Sequence, residues 1–179
     1  MKGVIFTEFF SFIEENHSIE FLQETIEHSQ VESEGVYTAT GTYPFCEMGA
    51  LLGSVVEKSG KDASELLKLF GLHLFGHFKN SSPNYFVGID NAFDFLATVE
   101  TQIHVDVKKL YPDAELPSFD IVEHTLDKFV MIYKSSRGLG ALCEGLIAGC
   151  MEHFGETATI SSRTLATDPI TKIEFILQK

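Results

Sequence analysis

The sequence predicts an α+β fold: an N-terminal helical subdomain packed on a C-terminal subdomain with a four-stranded antiparallel sheet and helices. Two observations carry that expectation. From Gly3 to about Leu110 the apolar residues recur at helical spacing, whereas beyond Pro112 and Pro117 the runs shorten, alternate and fill with β-branched residues. The later runs are joined by short turns, Thr125-Leu126-Asp127 and Ala166-Thr167-Asp168-Pro169, which suit antiparallel neighbours. A length of 179 residues with 44% hydrophobic content suffices for one domain with a real core and leaves little room for a second.

The helices follow in order. Gly3 to Glu15 places Ile5, Phe9, Phe12 and Ile13 on one face. Ser18 is an N-cap for a second helix to Ser29, with Ile19, Leu22 and Ile26 as its apolar positions. A third runs from about Pro44 to Ser59 and stops at Gly60. Asp62 caps a fourth from Ala63 to Phe70, which continues or kinks past Gly71 through Leu72 to Phe78 before Asn80-Ser81-Ser82-Pro83-Asn84 breaks the pattern. Asp90 or Asn91 opens a long helix to Leu110. Strands are expected at Phe119 to His124, Lys128 to Lys134, Thr157 to Leu165 and Ile170 to Leu177, with a helix from Leu139 to Phe154 between the second and third.

Composition narrows the function. Thirteen Lys and Arg against 26 Asp and Glu give a net charge of -13, which opposes binding to nucleic-acid phosphates or an anionic membrane surface and favours a protein partner with a basic patch. Sixteen Phe and no Trp can fill or line apolar space without needing hydrogen-bond partners. Cys46, Cys143 and Cys150 cannot all pair, no charged-then-apolar leader precedes them, and no apolar run approaches the roughly 20 residues of a membrane-spanning helix. A soluble, cytoplasmic protein is the expectation.

The most informative stretch is Tyr133-Lys134-Ser135-Ser136-Arg137. If it is extended, Tyr133, Ser135 and Arg137 share a face, forming a comb of hydrogen-bond donors with a guanidinium fork suited to a carboxylate or phosphate. Gly138-Leu139-Gly140 follows and lets backbone approach a bulky planar ligand. The alternative is an ordinary half-exposed strand with a salt-bridged arginine. Upstream, a wheel of about 100° per residue puts Leu96, Val99, Ile103, Val107 and Leu110 on one stripe, with His104 at its edge beside Phe93 and Ala97. Such a histidine either sits at the surface or faces a cavity as a metal ligand. One axial ligand and a separate clamp for two acidic groups match the anatomy of heme, and without Cys-x-x-Cys-His any heme is held non-covalently.

His73 and His77 share a helix face at metal-pair spacing, but the zincin glutamate pattern is absent, so surface or cavity-rim placement is expected. His17, His28, His124 and His153 receive no role. Cys143, Cys150 and His153 fall along one helix side, without an evident fourth zinc ligand.

Tyr-x-Ser-x-Arg preceded by a helix histidine resembles the H-NOX (heme-nitric oxide/oxygen binding) family, known as bacterial gas sensors and in soluble guanylate cyclase. Met1-Lys2-Gly3-Val4-Ile5, the His104 segment, Pro117, the comb and Leu146-Ile147-x-Gly149 occur in family order across nearly the whole chain. The resemblance implies a single heme-binding domain over residues 1–179. Its distal helical subdomain would span about 1–60 and its proximal sheet subdomain about 61–179, with heme b (iron protoporphyrin IX) between them. His104 would be the axial iron ligand. Tyr133, Ser135 and Arg137 would clamp the propionates, and Pro117 would press on the porphyrin and distort it. Oxygen-binding members carry a tyrosine at the position of Leu142. With Ile5, Phe9, Leu74 and Phe78 also distal, the resemblance implies an apolar pocket that binds nitric oxide and carbon monoxide but little oxygen.

Nitric oxide would weaken the bond to His104 and shift the conformation. With no room for an output domain, the signal would pass to a sensor histidine kinase, or to a cyclic-di-GMP enzyme. Two other readings stand beside the non-enzymatic sensor: a heme enzyme with peroxidase-like activity, and a heme-free module for an acidic small molecule.

Overall fold

The computed structural model describes every residue, Met1–Lys179. Four helices come first: α1 (Gly3–Asn16), α2 (Ile19–Ser29), α3 (Phe45–Ser59) and α4 (Ala63–Ser81). Their ends are set by the residues anticipated for them. The Ser18 hydroxyl accepts the Phe21 N–H at 3.2 Å, and the Asp62 carboxylate accepts those of Ser64 and Glu65 at 2.8 and 3.1 Å. Gly60 closes α3 with φ of 69°, a left-handed conformation that costs glycine little. Gly71 does not break α4, which continues for 19 residues.

After a short 3-10 turn (Pro83–Phe86), Asn91 caps α5 (Ala92–Thr98) by accepting the Asp94 N–H at 2.9 Å. The expected single long helix is instead two α-helical segments, α5 and α6 (His104–Leu110), joined by a π-helical turn over Val99–Ile103. Strands β1 (Ser118–His124), β2 (Lys128–Ser135), β3 (Thr159–Ala166) and β4 (Thr171–Gln178) form one antiparallel sheet in the order β1-β2-β4-β3, and α7 (Gly140–His153) connects β2 to β3. Met131 lies opposite Phe175 and Phe129 opposite Leu177, so the paired inner positions of the two central strands are apolar.

Two buried clusters divide the molecule. The N-terminal one gathers Phe6, Phe9, Phe12 and Ile13 of α1 with Leu51 and Val55 of α3. The C-terminal one packs Phe93, Phe95 and Leu96 of α5 and Ile147 and Cys150 of α7 on Phe129, Met131, Tyr133, Phe175 and Leu177 of the sheet. Helices α4 and α7 serve both: Phe70, Leu74 and Leu142 belong to the first cluster, and Phe75, Cys143 and Ile147 to the second. The two helices touch backbone to backbone. A Cβ on Gly71 would stand 2.3 Å from the Leu142 carbonyl oxygen, and one on Gly145 would stand 2.1 Å from that of Lys68. The seam between the lobes therefore depends on side chains that are missing.

Candidate functional site

His104 begins α6 directly after the π turn, and its backbone N–H donates to the carbonyl of Val99, five residues back. The wider turn admits one extra residue and rotates everything after it, so the stripe expected on an unbroken wheel does not persist. Leu96 is buried, Val99, Ile103 and Val107 are half-buried, and Leu110 is 73% exposed. Of the two placements open to His104, surface or cavity, the structure shows the enclosed one: its side chain is only 16% exposed. Its Nδ1 lies 3.1 Å from the Glu100 carboxylate, which also accepts the Phe119 N–H at 3.3 Å.

Pro117 shares a cleft with His104. The cleft has a volume of about 520 Å³ and is lined by Glu100, His104, Val105, Lys108, Leu116 and Pro117, among others. The Phe119 ring then links this cleft to the comb, with its centroid 5.6 Å from the His104 ring and 5.9 Å from that of Tyr133. One aromatic side chain spans the two halves of the site.

The comb is not one strand face. β2 ends at Ser135, and Arg137 stands in the turn beyond it, so pleat alternation does not align the three side chains. The turn brings Arg137 into place: its N–H donates to the Ser135 hydroxyl at 3.1 Å, and its guanidinium donates to the Glu115 carbonyl at 3.0 Å and the Glu115 carboxylate at 2.8 Å. Tyr133 is 2% exposed, and burial raises its phenol above the ordinary range. The Tyr133 hydroxyl accepts the Leu139 N–H at 3.1 Å. Each hydroxyl therefore uses an oxygen lone pair on backbone and retains an O–H to donate.

On the other side of the seam, Phe9, Leu74 and Leu142 meet in the N-terminal cluster, with Ile5 half-buried against it. Phe78 does not join them; it is 37% exposed and belongs to neither cluster. His73 and His77 do share a face of α4, within 3.4 and 3.0 Å of the Glu8 carboxylate. Cys143 and Cys150 are buried in the C-terminal core, where burial raises both thiols. No three His, Cys, Asp or Glu side chains are arranged to hold a metal ion.

The family model described as Haem-NO-binding matches residues 2–162. The chain belongs to the H-NOX family. The H-NOX protein from K. algicida, solved in its Fe(II) unliganded form, is 39% identical, with all of this chain and 96% of that one covered at a TM-score of 0.93. An H-NOX mutant from T. tengcongensis superposes at a TM-score of 0.86 over 99% of this chain and 97% of that one, at 22% identity, a likeness of fold. No curated protein matches in a sequence comparison. H-NOX domains bind heme and form a heme-based gas-sensor family, and no helix here is long and apolar enough to cross a membrane.

The residues present fit that cofactor. A carboxylate is already seated on the Arg137 fork, that of Glu115, which is chemically the same group as a propionate. Glu115 is 75% exposed, so releasing it to water costs little. An ionised carboxylate can only accept, so the contact with Glu100 favours the His104 tautomer with its proton on Nδ1 and a free lone pair on Nε2. Glu100, Glu115 and Phe119 also belong to this constellation. Only Glu100, at i,i+4 from His104, left a visible signal in the sequence.

Proposed function

We propose that this H-NOX domain senses nitric oxide through a heme held by His104. The observation that carries the reading is a largely buried histidine whose Nδ1 is taken by a carboxylate, in one cleft with Pro117 and joined through Phe119 to Tyr133. When bound, heme supplies the iron that takes up the gas. His104 would hold that iron through Nε2, while Tyr133, Ser135 and Arg137 would donate to the propionates. Pro117, which lines the same cleft as His104, would bear on the ring. Leu74 and Leu142, both apolar and in one cluster with Phe9, offer bound oxygen no hydrogen-bond donor. Nitric oxide and carbon monoxide need none.

The gas signal would reach the fold through His104, which begins α6. Helix α6 has no fully buried residue, so it moves against the sheet with little loss of packing. The α4–α7 seam is the element that carries the shift between lobes. The output passes to a separate protein, a sensor histidine kinase in the first place and a cyclic-di-GMP enzyme in the second, and the domain itself is not catalytic.

The ferrous absorption spectrum tests this. The expected result is a Soret band that moves on adding nitric oxide to the state in which His104 has detached, and that does not move in air. A stable oxygen spectrum overturns the gas assignment, and colourless full-length protein overturns the heme reading.

A further inference from the structure

Resting on that reading of His104, we propose that Glu100 is a positioning residue that orients the iron ligand and sets its basicity, and hence the strength of the bond that nitric oxide must break. Three observations converge on it. Glu100 lies in the π turn, and its Oε2 is 3.1 Å from His104 Nδ1. The same oxygen accepts the backbone N–H of Phe119 at 3.3 Å, which anchors the carboxylate to the second residue of β1. The Phe119 ring lies against the imidazole at 29° between planes, so the ring is held in its plane and at its edge.

A metal-bound histidine that donates its other N–H to a carboxylate gains imidazolate character, which strengthens its bond to the metal. The same contact selects the tautomer with Nε2 free. Glu100 is therefore more than an i,i+4 ion pair of a surface helix, whose effect would be confined to the stability of that helix. The π turn and the β1 tether make it a fixed bridge between the ligand and the sheet. If α6 moves when His104 detaches, the Glu100–His104 contact is the first to be strained, because Glu100 stays tied to Phe119.

The test separates action on the ligand from support of the fold. In full-length His104→Gly protein loaded with heme, free imidazole and 1-methylimidazole are titrated as replacement ligands, with and without Glu100→Gln. Glutamine keeps the size of the side chain and an oxygen for the Phe119 N–H but loses the charge. Imidazole retains an N–H to donate to residue 100, and 1-methylimidazole has none. The expected result is about a tenfold loss of imidazole affinity on Glu100→Gln, as for removal of other outer partners of metal ligands, with 1-methylimidazole unchanged. In the His104 background, Glu100→Gln should raise the heme midpoint potential and lower the iron–histidine stretching frequency, with the thermal midpoint of the heme-free chain unmoved.

Equal loss for both ligands assigns Glu100 to the fold and overturns the proposal, as does no loss for either. Failure of both ligands to bind in the presence of wild-type Glu100 overturns instead the assignment of His104, and the proposal falls with it.

Discussion

His104 and Leu142 carry the most consequence for single side chains. His104→Gly should abolish signal output while the heme still takes up nitric oxide, and free imidazole should restore the unliganded spectrum without restoring that output, since an untethered ligand cannot pull on α6. Leu142 is buried beside Leu74, so Leu142→Tyr brings a phenol into an apolar cluster where its O–H lacks a partner. A bound oxygen would be that partner. Absorption in air should then show a stable oxygen complex absent from the wild type, at the cost of about 1–3 kcal/mol in unfolding free energy for the larger side chain. Tyr133 tests the electrostatics. Burial raises its phenol, so the stability it contributes is complete below the ordinary tyrosine value of about 10 and is lost as pH rises through the raised one. Ultraviolet titration of Tyr133→Phe should therefore lose a late-titrating phenol, leaving the ordinary ones in place.

Helices α4 and α7 cross where neither has a side chain to spare. Gly71→Ala puts a methyl within 2.3 Å of a backbone oxygen, a contact relieved only if the helices part. Differential scanning calorimetry should show a loss of about 1–3 kcal/mol, and the nitric oxide response should change in rate because the lobes no longer meet in the same way. A variant unaltered in both would show that the helices separate freely. The π turn has a different importance. It places Glu100, the histidine and the first residues of β1 together, and a continuous α-helix of the same residues would turn His104 by about 100° away from its position.

Charge over the full surface governs association. With a net charge of -13, the partner's contact surface should be basic, and binding should weaken steeply as salt rises from low ionic strength past 0.1 M, where the screening length is about 10 Å. Affinity measured across that range checks the point, and a salt-independent affinity would indicate an apolar interface instead. The two-cluster organisation suits a signalling protein. Separate cores can each remain packed while the α4–α7 seam between them changes, which a single continuous core would resist.

Much of this arrangement was legible in residue order, because the signals involved are local. Ser18, Asp62, Asn91 and Gly60 end helices through bonds and dihedrals within a few residues of themselves, and alternation at period two marks the strands. His104, Pro117 and the Tyr133-x-Ser135-x-Arg137 spacing likewise stand out as residue types at intervals. Three matters were decided only by tertiary packing. A π turn is invisible to a wheel of constant pitch, so the burial of His104 and the exposure of Leu110 could not be read from periodicity. Arg137 reaches the site from a turn whose shape is set by its bond to Ser135 and its fork on Glu115, 22 residues earlier. Phe78 follows Leu74 by one turn on α4, yet the cluster that encloses the leucine stops short of the phenylalanine, because burial depends on which helix lies opposite and no pattern along one chain segment encodes its neighbour.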